Sequence, residues 1–504
     1  LLFFLEAFMP DLTFLPAHQL AQLIHDRQAS SREIVEAHLS KIEQYNPQLN
    51  AVCTLDAANA RHRADAADAA IARGENWGVL HGVPVTIKDI FETAGLRTTA
   101  GYIPLKDYIP SQDATAVARL RAAGAIILGK TNMAELAGDF QSTNSIFARV
   151  NNPWNLNYTP GGSSGGSAAA IAAGLSPLDL GNDFAGSVRQ PAHCCGVYGL
   201  KPTDRRISTA GVIPETPGMP YCLRQMMTVG CLARSLEDIR LCFSLIAGAD
   251  PRRPDVPAIP LDAPSGQPLS ALKIAWLDEW AEVPVASEIR VGMQRVADKL
   301  SQAGAQVERW QPAQFDLPLI WTLYGRMAAY MNNYAQPKDR HNIQRSLVLL
   351  FRTATQGDQK LRELGNFSRF WPELLRPTLK GYFQTLTERE QVMAQMDAAL
   401  DPWDVWLLPV AASPAFTHRP AWSAVDVGGK AYPHGVANGA YTIPFNLTGH
   451  PAVTIPMGLT QAGLPMGLQI VGKRWQEMAL IAIAEQLDQV IGGFQQPPGY
   501  GGKA

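Results

Sequence analysis

Apolar and polar positions follow two different periods along this chain. From Ala17 to Arg73 apolar residues recur every three to four positions. That spacing predicts helices over Ala17–Asp26, Ser31–Tyr45 and Leu55–Arg73, with Asn46-Pro47 breaking the second. From Gly78 to about Thr203 short apolar, β-branched runs alternate with helical stretches. Strands are expected at Val83–Ile87, Ala125–Leu128, Leu178–Leu180 and Val197–Leu200, and helices at Ala114–Ala123 and Ser167–Ala173. Such alternation predicts an α/β protein, a mixed sheet core with helices on both faces.

A proline-rich stretch over 249–270 reads as an extended surface connection. Strands resume at Leu272–Leu277 and Gln306–Trp310, with a helix over Glu288–Ala303 between them. Residues 315–400 are mainly helical and are expected to form a cap or pocket wall within the same domain. Val405–Val410, Ala452–Pro456 and Gly467–Val471 complete the sheet, and a last helix covers Gln476–Val490. No internal repeat is present. The reading is one domain over residues 9–504, with Leu1–Phe8 an upstream or artificial extension and Met9 the start.

Composition narrows this picture. The chain has 504 residues, of which 46 % are hydrophobic, as in ordinary globular proteins. A net charge of −2 gives no electrostatic reason to expect nucleic acid. No apolar run reaches the ~18 residues of a membrane span. The apolar Leu1–Phe8 lacks the basic start of a signal peptide, so a cytoplasmic location is expected. Cys53, Cys222, Cys231 and Cys242 are scattered. His193-Cys194-Cys195 lacks paired metal-ligand spacing, so neither a disulfide framework nor a metal site is expected.

Three segments carry candidate chemistry. Lys88 ends the apolar run Val83-Pro-Val-Thr-Ile-Lys88. Burial there would disfavour its ammonium and leave an amine able to take a proton from a hydroxyl. In Gly161-Gly-Ser-Ser-Gly-Gly-Ser167, Ser163 and Ser164 are the only side chains among six residues that enter a helix N-terminus, where N–H groups are unpaired. Ser187 closes a second glycine turn, Phe184-Ala185-Gly186-Ser187. Successive N–H groups of such a turn can converge on one anion. Asp183 and Arg189 flank that turn and can pin it.

These motifs resemble the amidase signature family. The family pattern is similar to Gly-Gly-Ser-Ser-Gly-Gly-Ser, then Asp-x-Gly-Gly-Ser-Ile-Arg, then Gly-Leu-Lys-Pro-Thr. Here those stand at Gly161–Ser167, Asp183–Arg189 and Gly199–Thr203. His81–Asp89, Ile127–Met133 and Pro444–Pro456 also match, so the resemblance runs from about Leu12 to Val490. It implies an amide hydrolase with Ser187 as nucleophile, Ser163 as a bridging serine after a cis peptide bond, and Lys88 as base. Phe184, Ala185, Gly186 and Ser187 would supply the oxyanion hole. Gly162, Ser164, Asp183 and Arg189 would support it, and Met133 would contact substrate. Ala185 stands where the family has glycine. It would be strained if that position needed positive φ. Asn182 stands where Thr or Ser is common.

The expected partners are a small-molecule amide and a second copy of the chain in a homodimer, with no nucleic acid, membrane, metal or cofactor. Two other readings compete with a stand-alone hydrolase. One is the amidase subunit of a tRNA-dependent amidotransferase; Ala185 and Asp204-Arg-Arg-Ile-Ser208 lean against it. The other is an inactive binding protein; the intact Lys88, Ser163 and Ser187 argue against that. An α/β-hydrolase nucleophile elbow at Ser163 is disfavoured because Asn151–Pro160 are turn formers and not a strand. His81 and His450 are more readily structural than catalytic, and Trp321, Tyr324 and Tyr330 divide between core and pocket wall.

Overall fold

Eleven strands of the described residues join in one mixed sheet. The computed structural model describes residues 11–215, 225–335, 373 and 376–501. In sheet order the strands are Val52–Leu55, Ile126–Thr131, Pro84–Lys88, Leu178–Asp183, Thr228–Ala233, Tyr198–Lys201, Ala452–Leu459, Pro465–Val471, Val405–Pro409, Lys273–Trp276 and Gln306–Arg309. Neighbours are parallel where Pro84–Lys88 meets Ile126–Thr131 and Leu178–Asp183, and again at the far edge. The middle of the sheet is antiparallel.

Every residue of Pro84–Lys88, Leu178–Asp183, Thr228–Ala233 and Pro465–Val471 is buried. Side chains alternate between faces along a strand, so both faces of the sheet are covered. That is why these segments read as continuous apolar runs and not as alternating ones.

Among the boundaries that differ from the sequence reading, two have a clear physical reason. The second helix does not break at Pro47 but runs Ser31–Leu49. Proline forfeits one backbone bond in the last turn. Asn50, left-handed at φ 53°, closes the helix, and Asn46 pairs with both backbone groups of Val52. The stretch read as helix from Leu55 begins instead as the edge strand Val52–Leu55, and its helix spans Ala57–Ala72. Thr228–Ala233 and the helix Leu236–Ile246 had no sequence prediction. Gly230 hides that strand from a propensity reading. A Cβ there would lie 2.1 Å from Leu200 O on the adjoining strand, so close pairing excludes a side chain.

Of the expected cap, the helices Leu317–Ala335 and Leu379–Leu400 are described and pack together. Residues 336–372, 374 and 375 of it, and the N-terminal segment 1–10, lie outside the described residues. No described helix is long and apolar enough to cross a membrane.

Candidate active site

Lys88 closes its strand beside Leu178–Asp183, so its side chain rises from the middle of the parallel part of the sheet. It has no exposed surface. Its Nζ lies 2.7 Å from Ser163 Oγ, 2.7 Å from Ser164 Oγ and 2.7 Å from Asn182 Oδ1. Among the described residues no carboxylate forms an ion pair with it. Burial therefore holds the amine well below the ordinary lysine range, although Asp183 and Asp179 pull the other way. Asp179 is itself pushed up to about 7 by burial, and accepts a bond from Thr86 Oγ1 at 2.6 Å.

The serine loop is held in place by its surroundings. The Gly162–Ser163 peptide is cis. Gly162 N–H donates to Gln190 Oε1 at 2.9 Å, and a Cβ on Gly162 would lie 2.6 Å from Asp139 O. Ser142 Oγ donates toward Gly161 O and Ser163 O, and accepts from Gly165 N–H. Ser164 N–H donates to Ser187 O at 3.2 Å, which ties the two serine loops together. Ser164 stands at the N-cap position of the helix Gly165–Ala172 without a side-chain cap bond, its hydroxyl being turned to Lys88.

Asp183 organises the second turn. Its carboxylate accepts from the N–H groups of Gly186 at 2.9 Å and Val188 at 3.1 Å, and from Arg189 Nε and Nη2. Both members of the Asp183–Arg189 pair are fully buried. Burial alone would raise the Asp183 pKa, but Arg189 and Asn446 hold it far below the usual carboxylate range. Arg189 also reaches Thr442 O and Gln469 Oε1, so the turn is fixed to C-terminal segments. Thr442 Oγ1 donates to Ala185 O.

One N–H of the expected oxyanion set is engaged within the turn. Gly186 N–H donates to Asp183 Oδ1 at 2.9 Å. The N–H groups of Phe184, Ala185 and Ser187 bond to no described residue. Positive φ falls on Gly186, at 122°, and not on Ala185, so alanine there carries no left-handed strain. A Cβ on Gly186 would lie 2.6 Å from Thr442 Oγ1.

The other candidates divide. Met133 has no exposed surface and packs in the main core. His81, His193 and His450 are structural. His81 bonds Trp77 N–H and Ala67 O, and His193 bonds Gly467 N–H and Ser413 O; His450 sits against Thr448 Oγ1 and Asp397. Trp321 is core. Tyr324 packs on Phe184 with ring centroids 5.4 Å apart, so it stands beside the Ser187 turn. Gln190, Thr442, Asn446 and Gln469 were not singled out from sequence. Most lie hundreds of positions from the groups they bind, and no local pattern marks them.

Fold and clustered side chains together define an enzyme that hydrolyses amide carbon–nitrogen bonds. The chain belongs to the Amidase family, whose model matches residues 33–481. It is 35 % identical over 488 residues to the A subunit of glutamyl-tRNA(Gln) amidotransferase from Anaeromyxobacter dehalogenans (strain 2CP-C), covering 93 % of this chain and 94 % of that one. Among solved structures it resembles a bacterial aryl acylamidase at TM-score 0.79 and 25 % identity, over 95 % of this chain and 96 % of that one. It also resembles 6-aminohexanoate cyclic dimer hydrolase complexed with substrate, at TM-score 0.76 and 26 % identity, over 96 % and 99 %.

The amidotransferase relatives overturn the expectation that no nucleic acid is a partner, because their name specifies a tRNA. A net charge of −2 averages over the whole surface. It carries no information about a local patch, or about other chains of a complex.

Proposed function

We propose that Ser187 is the acylated nucleophile of this amide hydrolase, with Ser163 and Lys88 as its proton relay. The observation that carries this reading is Lys88. It is fully buried, free of any ion pair with a described carboxylate, and hydrogen-bonded to Ser163. Ser187 Oγ attacks the carbonyl carbon as its proton passes to Ser163, whose own proton passes to Lys88. The N–H groups of Phe184, Ala185 and Ser187 face the developing oxyanion. The relay then returns a proton to the leaving nitrogen as the C–N bond breaks. Water cleaves the acyl ester by the same route, giving a carboxylic acid and free Ser187. We place the enzyme in the cytoplasm; the free Cys53, Cys194, Cys195, Cys231 and Cys242 support that setting.

A fluorophosphonate probe tests the assignment. It should label Ser187 and leave folded Ser187→Ala unlabelled and inactive. Hydrolysis by Ser187→Ala within tenfold of the parent would overturn it.

The relatives favour a second reading, in which this chain is the amidase subunit of a tRNA-dependent amidotransferase. Aminoacyl-tRNA and partner chains would then raise its amide turnover. A chain that is fully active on simple amides alone, and gains nothing from them, counts against this reading.

A further inference from the structure

Lys88 Nζ has three hydrogen-bond partners, and the three are not equivalent. Ser163 Oγ and Ser164 Oγ are hydroxyls, which can donate or accept. Asn182 Oδ1 can only accept. An ammonium has three N–H groups and satisfies all three. A free amine has two N–H groups and one lone pair, and only a hydroxyl can donate to that lone pair. The amide oxygen therefore always takes an N–H, which leaves the lone pair to one of the serines. Ser163 is the serine that begins the relay.

We propose that Asn182 is a positioning residue: its side-chain oxygen fixes the rotation of Lys88 Nζ so that the amine lone pair faces the serine hydroxyls, Ser163 among them, and never position 182. This rests on the reading of Lys88 as base. Asn182 is well placed for it. It lies in the strand Leu178–Asp183 beside the strand of Lys88, is 3 % exposed, and is held in register by Val229 on the opposite side. A hydroxyl at position 182 could donate to the lone pair itself and compete with Ser163. An amide oxygen cannot.

Two carboxylates act on the amine, and Asp179, pushed up to about 7, is common to parent and variants, so each variant's acidic limb is read against the parent's. Asp183 is committed to Arg189, and Asp179 accepts from Thr86. From the strand Ile126–Thr131, Lys130 is engaged by Phe91 O, Thr93 and Thr98. A carboxylate at position 182 would be the only one in direct contact with Nζ among the described residues.

Asn182→Asp keeps the shape and adds that charge. It stabilises the ammonium, so the acidic limb of kcat/KM against pH should move up by about 1–3 units, with activity recovering above it. Asn182→Leu removes the acceptor. It should lower kcat about 10²-fold with KM near the parent value, and should not move the limb upward. Asn182→Ser, which can still accept, should recover part of that loss. If Asn182→Asp does not fold, the split between Asn182→Leu and Asn182→Ser decides. Parental kcat and acidic limb in the folded variants would overturn the proposal. Lys88→Ala separates this from the parent reading. If Lys88→Ala stays active, the relay itself fails. If it is inactive while the Asn182 variants behave as parent, only the positioning role falls.

Discussion

At the scale of single residues, Ala185 shows how a departure from a motif can be harmless. The turn needs a left-handed residue, and the residue that meets this need is Gly186. The methyl at 185 therefore costs nothing in backbone strain, and its N–H remains unbonded within the described residues. Ala185→Gly should leave kcat within about tenfold, because no donor is lost. Ala185→Pro removes the N–H and should cost roughly 10²–10³ in kcat, the effect of deleting one oxyanion donor. Near-parental kcat in a folded Ala185→Pro enzyme would assign the anion to Phe184 and Ser187 alone. Lys88, Ser163 and Ser187 can be put forward from the sequence because each sits at a marked break, a strand end or a glycine turn. The bond from Gly186 N–H to Asp183 is not legible in the same way, because a sequence shows that a backbone N–H exists and not where it donates.

At the scale of elements, the nucleophile turn depends on contacts that arrive from far along the chain. Arg189 bonds Asp183 within the turn, but its other partners are Thr442 O, Asn446 in Ile443–Leu447 and Gln469 in the strand Pro465–Val471. Removing one member of a buried pair leaves the other charged and uncompensated. Asp183→Ala should therefore destabilise the fold by about 3–5 kcal/mol, measured by denaturant unfolding. It should also weaken fluorophosphonate labelling of Ser187 where the protein remains folded. The sign with pH follows from the depressed pKa of Asp183. Its stabilisation is complete above the unfolded carboxyl range and is lost only as pH falls toward the depressed folded value. Most strands were readable as apolar runs. Thr228–Ala233 was not, because close packing demanded Gly230, and Val52–Leu55 was absorbed into the helix that follows it. In both cases tertiary pairing outweighed the local preference.

At the scale of the whole molecule, the order of strands in the sheet is not their order in the chain. Among the described residues the two halves of the sheet meet only through Ala452–Leu459 and Pro465–Val471, which lie between Tyr198–Lys201 and Val405–Pro409. A chain ending at residue 450 would lack the join, and Arg189 would lose Gln469. Such a truncation should show no single cooperative unfolding transition, and no labelling at Ser187. Cooperative unfolding with parental labelling would mean that the first half folds alone. The same order also sets a timetable. On the ribosome Lys88, Ser163 and Ser187 emerge early, yet the edge of Tyr198–Lys201 stays open until synthesis reaches Ala452. The proposed nucleophile is thus translated long before its turn can be completed, and a nascent or prematurely terminated chain would carry all three proposed catalytic residues without the strand that joins the sheet.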